Sequence, residues 1–476
     1  MKILLTSVAT CLLYFQSAAA WCQATENSSD SEIAEYKAVT KQIIDSAREG
    51  NDSYLKLQEL CDDIGHRLGG SESLEKAIDW AVQELEGDGH ENVRKEGVTV
   101  RKWVRGNESC EMLTPRPLEI SMLGLGGSVG TGADGISAEV VVVNSKDELD
   151  ALPDEKIKGR IVVFNAAMPR FSDTKGSGYR ETVQYRSNGA RWAAERGGVA
   201  ALVRSVTAYS LDSPHTGAMR YSGGPDVKEI PTAAISVEGA TLLSRLQARG
   251  ITPTVKLKME AEDAGDAPSH NVLAEIVGSE KPEEIVVLGG HIDSWDVGTG
   301  AHDDGTGCVA AMEALNILRK LDLKPRRTIR VVLWTNEENG TAGALNYLNR
   351  HQDEIHVAGI ESDSGGFSPE GLSVEMEDKK KEEIAEEQLI EILKLLQPIN
   401  ATRVKTGSSG VDVRQLASIG TACMGLSVDG RLYFNTHHTH ADTVDKVDPD
   451  QLTDCTITMA VAAYILADMP GRLGEE

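Results

Sequence analysis

The sequence predicts an α/β protein: a central, mostly parallel sheet flanked by helices, with a smaller β-rich domain inserted into it. Three observations carry this expectation. Beyond about residue 265, apolar strand-like runs alternate with helical patterns, as they do when a parallel sheet is covered on both faces. Between 138 and about 260 the texture changes to short β-type runs. At 476 residues the chain is also long enough to build more than one core without staples.

Residues 46–137 read as the N-terminal part of the main domain. Apolar residues recur there at helical spacing, as in YLKLQELCDDIG and LEKAIDWAVQELEG. The stretch GLGGSVGTG (Gly124–Gly132) lacks the GxGxxG spacing of a dinucleotide site and no helical run follows it, so it reads as a flexible turn. The insert, 138–260, holds the runs AEVVVV, GRIVVFN, VAALVRSV, IPTAAIS and TVKLKM, with a helical GARWAAERGG among them. EDAGDAPSH then reads as a linker. Residues 265–476 carry the strands EIVVLGGH, TIRVVLWTNEE and HVAGIESDSGG, separated by the helices CVAAMEALNILRKL and AGALNYLNR. A further helix, EEQLIEILKLLQ, puts Leu389, Ile392, Leu393 and Leu396 on one face. No internal repeat is visible.

The first 20 residues, MKILLTSVATCLLYFQSAAA, have the lysine, apolar run and small-residue end of a secretory signal; a buried N-terminal strand is the alternative. No later stretch approaches the roughly 18–20 apolar residues of a membrane span. Residues 21–45 are polar and acidic enough to be a disordered leader or a propeptide. The expected location is therefore secreted, within a secretory pathway that includes the endoplasmic reticulum, Golgi and lysosome. Some of the sequons at Asn27, Asn51, Asn107 and Asn400 are expected to carry N-glycans. The scattered cysteines show no CxxC framework, and several are expected to be buried thiols. A formal charge of −26 argues against a nucleic-acid partner, which wants a basic stripe.

Chemistry concentrates in four places. GGHIDSWDVGTGAHDDGTG follows an apolar strand run and supplies His291, Asp293, Asp303 and Asp304. Glu337 and Glu338 follow VVLWTN, Asp363 lies in ESDSGG, and HHTHADT supplies His437, His438, His440 and Asp442. One acidic loop means little, since most are solvated. Four such clusters at strand ends or in a late loop point to a metal site at the carboxyl edge of a sheet. Histidines and carboxylates without thiolate favour zinc or a related transition metal over calcium. There are too many donors for one catalytic ion; five fit two ions if one carboxylate bridges. Such a pair polarises a carbonyl and holds a hydroxide nucleophile. A Ser or Cys nucleophile is a weaker idea, and Cys308 sits on an apolar helix face as a structural cysteine.

These motifs resemble those of the co-catalytic dizinc exopeptidases, and the likeness extends over nearly the whole chain, including GHRLGGSESLEKAI, SPHTG and a protease-associated insert at 138–257. The resemblance implies two Zn²⁺ per chain: His291 and Asp363 on one, Glu338 and His438 on the other, with Asp303 bridging. It implies Glu337 as the general base and Asp293 as the carboxylate that orients His291. His438 is selected over His437 and His440 because the family ligand stands four residues before the aspartate, here Asp442. It also implies a homodimer and small peptide substrates, chiefly dipeptides with both termini free. The glycan sequon at Asn339 lies against this site and is expected to be empty. An aminopeptidase trimming longer peptides is the alternative within enzymes. An inactive binding ectodomain of the same fold is the alternative outside them, disfavoured by the intact donor set.

Overall fold

The computed structural model describes residues 36–221 and 227–475. Eight strands form the main sheet in the order Glu91–Val104, Glu262–Ile276, Arg327–Trp334, Lys281–His291, Ile355–Glu361, Ala422–Val428, Pro369–Glu375, Arg403–Thr406. The four strands from Arg327–Trp334 to Ala422–Val428 run parallel to one another. Antiparallel pairing joins this block to its neighbour on either side. The α/β expectation holds, with the parallel strands forming the centre of the sheet.

The period of two along each central strand sorts side chains to two cores. Val286, Leu288, Val331, Leu333 and Ile360 face a core built with the helices Thr306–Lys320 and Pro449–Asp468. Ile285, Val287, Val332 and Trp334 face the opposite layer, with Ala344 and Tyr347 of the helix Ala342–His351. All eight residues of Arg327–Trp334 are buried, which is why the run lacks polar alternation. The helix Pro449–Asp468 starts cleanly: Asp448 accepts the backbone N–H of Asp450 and Gln451, and proline takes the first position.

EDAGDAPSH is not a linker. It is the first part of the strand Glu262–Ile276, paired residue by residue with Glu91–Val104. Its composition misleads because this part is mostly solvent-exposed, and its hydrogen bonds come from a partner some 170 residues earlier in the chain.

A second eight-stranded sheet has the order Leu118–Glu119, Glu108–Thr114, Thr254–Met259, Ile136–Val143, Ile161–Phe164, Ala200–Arg204, Thr232–Ile235, Met122–Gly124. It covers the region read as an insert. It also takes up three short strands between 108 and 124 that the sequence reading left in the main domain. Their runs are too brief to show a pattern of their own. The helix Tyr179–Glu195 packs against this sheet and contains the expected GARWAAE segment.

Residues 1–35, with the signal and most of the acidic leader, lie outside the described residues. Residues 36–49 are helical. That helix places Ile43 and Ala47 in the main core, and Tyr36 donates its hydroxyl proton to Asp468 at 3.2 Å. Removal of a leader ending at 45 would therefore strip Ile43 from the core. We expect Ile43→Ala to cost about 2–5 kcal/mol, the range for truncating a buried isoleucine, read as a lowered urea midpoint with unchanged slope. A change under about 0.5 kcal/mol, the scale of a surface substitution, would show that this helix does not belong to the core.

Candidate metal centre

Each expected ligand stands at or beyond the carboxyl end of a central parallel strand. His291 ends Lys281–His291, and Asp363 follows Ile355–Glu361 by two residues. Glu337 and Glu338 follow Arg327–Trp334, and His438 lies in the loop after Ala422–Val428. Parallel neighbours bring these ends together.

Asp303 lies at the middle of the cluster. Its Oδ1 is 3.3 Å from Nε2 of His291, which is also 3.4 Å from Oδ1 of Asp363. Its Oδ2 is 3.1 Å from Nε2 of His438, which is also 3.1 Å from Oε2 of Glu338. The two carboxylate oxygens thus face two separate groups of donors. His437, set aside in the sequence reading, is also here: its Nε2 is 3.7 Å from Asp303, and its ring stacks on His438 with centroids 3.5 Å apart. Donor atoms of Asp303, His437 and His438 fall within 4.8 Å of one another, as do those of His291, Asp303 and Asp363. His440 is exposed.

These residues fit a metal. Nε2 of His291, Oδ2 of Asp303 and Oε1 of Glu338 are buried with no hydrogen-bond partner, which is costly unless a ligand satisfies them. The electrostatics agree. Burial alone would lower the His438 imidazole, yet Glu338 and Asp303 hold it up at about 10. Burial, with Asp303 close by, raises the Glu338 carboxyl to about 7. The pocket thus favours positive charge at His291 and His438, and a cation among the carboxylates would relieve both effects.

Other carboxylates hold the frame. Asp293 was expected to orient His291 through its free ring nitrogen. Here Nδ1 of His291 is 3.0 Å from the backbone carbonyl of Asp293 and 3.7 Å from its carboxylate. The Asp293 carboxylate instead accepts the backbone N–H of Glu337 at 3.0 Å and of Glu338 at 3.3 Å. Asp304 accepts the backbone N–H of His291 and of Gly307, each at 3.1 Å. Asp442 accepts those of His302 at 2.8 Å and Asp303 at 3.2 Å. Three of the acidic residues in these motifs thus act on backbone.

The connection between the strands Ala200–Arg204 and Thr232–Ile235 of the second sheet supplies part of the site. The backbone carbonyl of Thr216 is 3.2 Å from Nδ1 of His438, and the Thr216 N–H donates to the His438 carbonyl at 3.0 Å. Thr216 and His215 belong to SPHTG, whose role this contact explains. Trp295, from the metal loop, is buried in the core of the second sheet. Gly126 makes that possible, because a Cβ there would overlap the indole ring. The GLGGSVGTG turn is therefore a seat for Trp295. Cys308 is a buried thiol whose Sγ–H donates to the His291 carbonyl at 3.1 Å, and the other described cysteines are likewise buried and unbridged. A cavity of about 900 Å³ opens onto Asp303, Glu337, Glu338, Asp363 and His438.

Residues 271–463 match the model of Peptidase family M28. The chain is 44% identical to carboxypeptidase Q of Mus musculus over 447 residues, 93% of this chain and 92% of the relative. The crystal structure of a peptidase M28 precursor from Shewanella amazonensis SB2B superposes with a TM-score of 0.86 at 35% identity, over 93% of this chain and 98% of that one. A zinc aminopeptidase from Bacillus subtilis shares the fold, with a TM-score of 0.63 at 16% identity, over 89% of this chain and 96% of that one. No helix among the described residues is long and apolar enough to cross a membrane. The strand-end donor set and a relative at 44% identity over nearly the full length agree, and the chain belongs to peptidase family M28.

Proposed function

We propose that this M28 peptidase is a dizinc exopeptidase that hydrolyses small peptides, chiefly dipeptides with free termini. The observation that carries the reading is the facing of two donor groups by the two oxygens of Asp303. His291 and Asp363 would hold one ion, Glu338 and His438 the other, and Asp303 both. Zinc bound there supplies Lewis-acid chemistry, polarising the scissile carbonyl and acidifying water. Glu337 lines the cavity and is the general base, its carboxylate taking the proton from the attacking water. Asp293 is a positioning residue that fixes the backbone of both glutamates. Exopeptidase specificity follows the carboxypeptidase Q relatives, which match 93% of the chain.

The cavity is larger than a dipeptide needs, which keeps one second reading in play: an aminopeptidase trimming longer peptides. The test uses purified enzyme with Ala-Met, N-acetyl-Ala-Met and Ala-Met amide. Elemental analysis is expected to find two zinc ions per chain, and a chelator to remove activity that added zinc restores. Blocking either terminus is expected to cut kcat/KM sharply. Full activity without metal overturns the reading, and strong turnover of the amide selects the aminopeptidase.

We assign secretion to the N-terminal apolar segment and a homodimer to the family likeness. Among the described sequons, Asn400 is exposed and is the preferred glycan site. The Asn51 amide donates to Ala47 and Thr453, and that of Asn107 to Glu260, so both are already engaged.

A further inference from the structure

Four basic side chains other than histidine line the cavity: Arg180, Arg186, Arg220 and Lys405. Arg180 and Arg220 are exposed, and Lys405 is paired with Glu370 at 3.3 Å. Arg186 differs. It is 8% exposed, and among the described residues no carboxylate lies within ion-pair distance of it. Its guanidinium carries five N–H donors. One Nη donates to the Tyr179 hydroxyl at 2.8 Å, while Nε is buried with no partner among the described residues.

The other Nη lies 3.4 Å from Nδ1 of His438, but this cannot be a hydrogen bond in the working enzyme. A neutral imidazole that offers Nε2 to a metal carries its proton on Nδ1. That proton is donated to the Thr216 carbonyl at 3.2 Å. Arg186 therefore faces the cavity as a buried cation with one acceptor, an arrangement that is expensive unless an anion completes it.

The surroundings hold the guanidinium in place. Tyr179 stacks on Phe434 with ring centroids 4.7 Å apart, which ties the start of the helix Tyr179–Glu195 to the loop that carries His438. Gly217, at φ +138°, leaves the space that the guanidinium occupies; a Cβ there would clash with it. A cation fixed beside a metal ligand, lining the catalytic cavity with an unpartnered donor, is built to receive an anion.

We propose that Arg186 binds the terminal carboxylate of the peptide substrate, and so sets the requirement for a free C-terminus. This rests on the exopeptidase reading above. A carboxylate accepts from two N–H groups of one guanidinium at once, which gives orientation as well as affinity. Holding the peptide's end in this way places the scissile carbonyl at the donor cluster, one or two residues from the chain end.

The test is the ratio of kcat/KM for Ala-Met to that for Ala-Met amide, in wild-type enzyme, R186Q and R186K. Wild type is expected to prefer the acid. In R186Q, kcat/KM for the acid falls by about 10²-fold, the scale of losing a charged hydrogen-bond pair, and the ratio collapses toward one. R186K keeps the charge but not the planar fork, and lowers the ratio by at least about fivefold. Damage to His438 or to folding would lower both substrates together and leave the ratio unchanged. A wild-type ratio in R186Q, or in R186K if R186Q does not fold, overturns the assignment while the exopeptidase reading stands. Equal turnover of acid and amide by wild type overturns both.

Discussion

Asp303→Ala is expected to abolish peptidase activity, by at least ~10³-fold, because Lewis-acid stabilisation of the transition state is worth several kcal/mol. Among the described residues, Asp303 is the one side chain whose oxygens reach both donor groups, at 3.3 Å from His291 and 3.1 Å from His438. Without it each group is left with one histidine and one carboxylate, and nothing lies between two bound dications to screen their repulsion. Elemental analysis should find the zinc content well below that of wild type. The fold should survive, since the lost carboxylate stood close to other acids: burial and then Asp303 raise the Glu338 carboxyl. Asp303→Asn should resemble the alanine variant, because an amide keeps the shape but neither the charge nor two anionic oxygens. An alanine variant with wild-type zinc and more than a tenth of wild-type activity would remove Asp303 from the centre of the site.

Glu337→Gln is expected to keep its zinc and lose about 10²–10⁴-fold in kcat, the range for deleting a general base. Glu337 and Glu338 are neighbours in sequence, but only Glu338 approaches a histidine, at 3.1 Å from His438. The Asp293 carboxylate holds the backbone N–H of both, so the turn after Trp334 aims one side chain at the donor cluster and leaves the other for water. Glu338→Gln should therefore lose metal as well as rate. The pair of variants separates the roles in one metal measurement. Zinc loss in Glu337→Gln with zinc retained in Glu338→Gln would reverse them.

Much of this arrangement was legible in the residues. Apolar runs such as EIVVL and TIRVVLW mark strands buried on both faces, and a polar donor directly after such a run is placed at the sheet's edge by chain direction alone. His291, Glu338 and Asp363 needed no more than that. His438 was harder, since HHTHADT offers three imidazoles within four residues, and the geometry brings two of them, His437 and His438, to Asp303. Asp293, Asp304 and Asp442 look like ligands by residue type, yet they spend their oxygens on backbone N–H groups. Residue type alone does not separate the two uses.

The sequence by itself determined the α/β layering and which polar side chains directly follow buried strands. These follow from hydrophobic periodicity and from residue chemistry within a few positions of a strand. Only the tertiary structure decided that EDAGDAPSH is a strand, that Gly126 seats Trp295, and that Arg186 reaches His438 across 252 positions. Each depends on a partner far along the chain. The reason is physical: local composition specifies what a segment is able to bury or to donate, whereas the group that receives it is chosen by how distant surfaces pack.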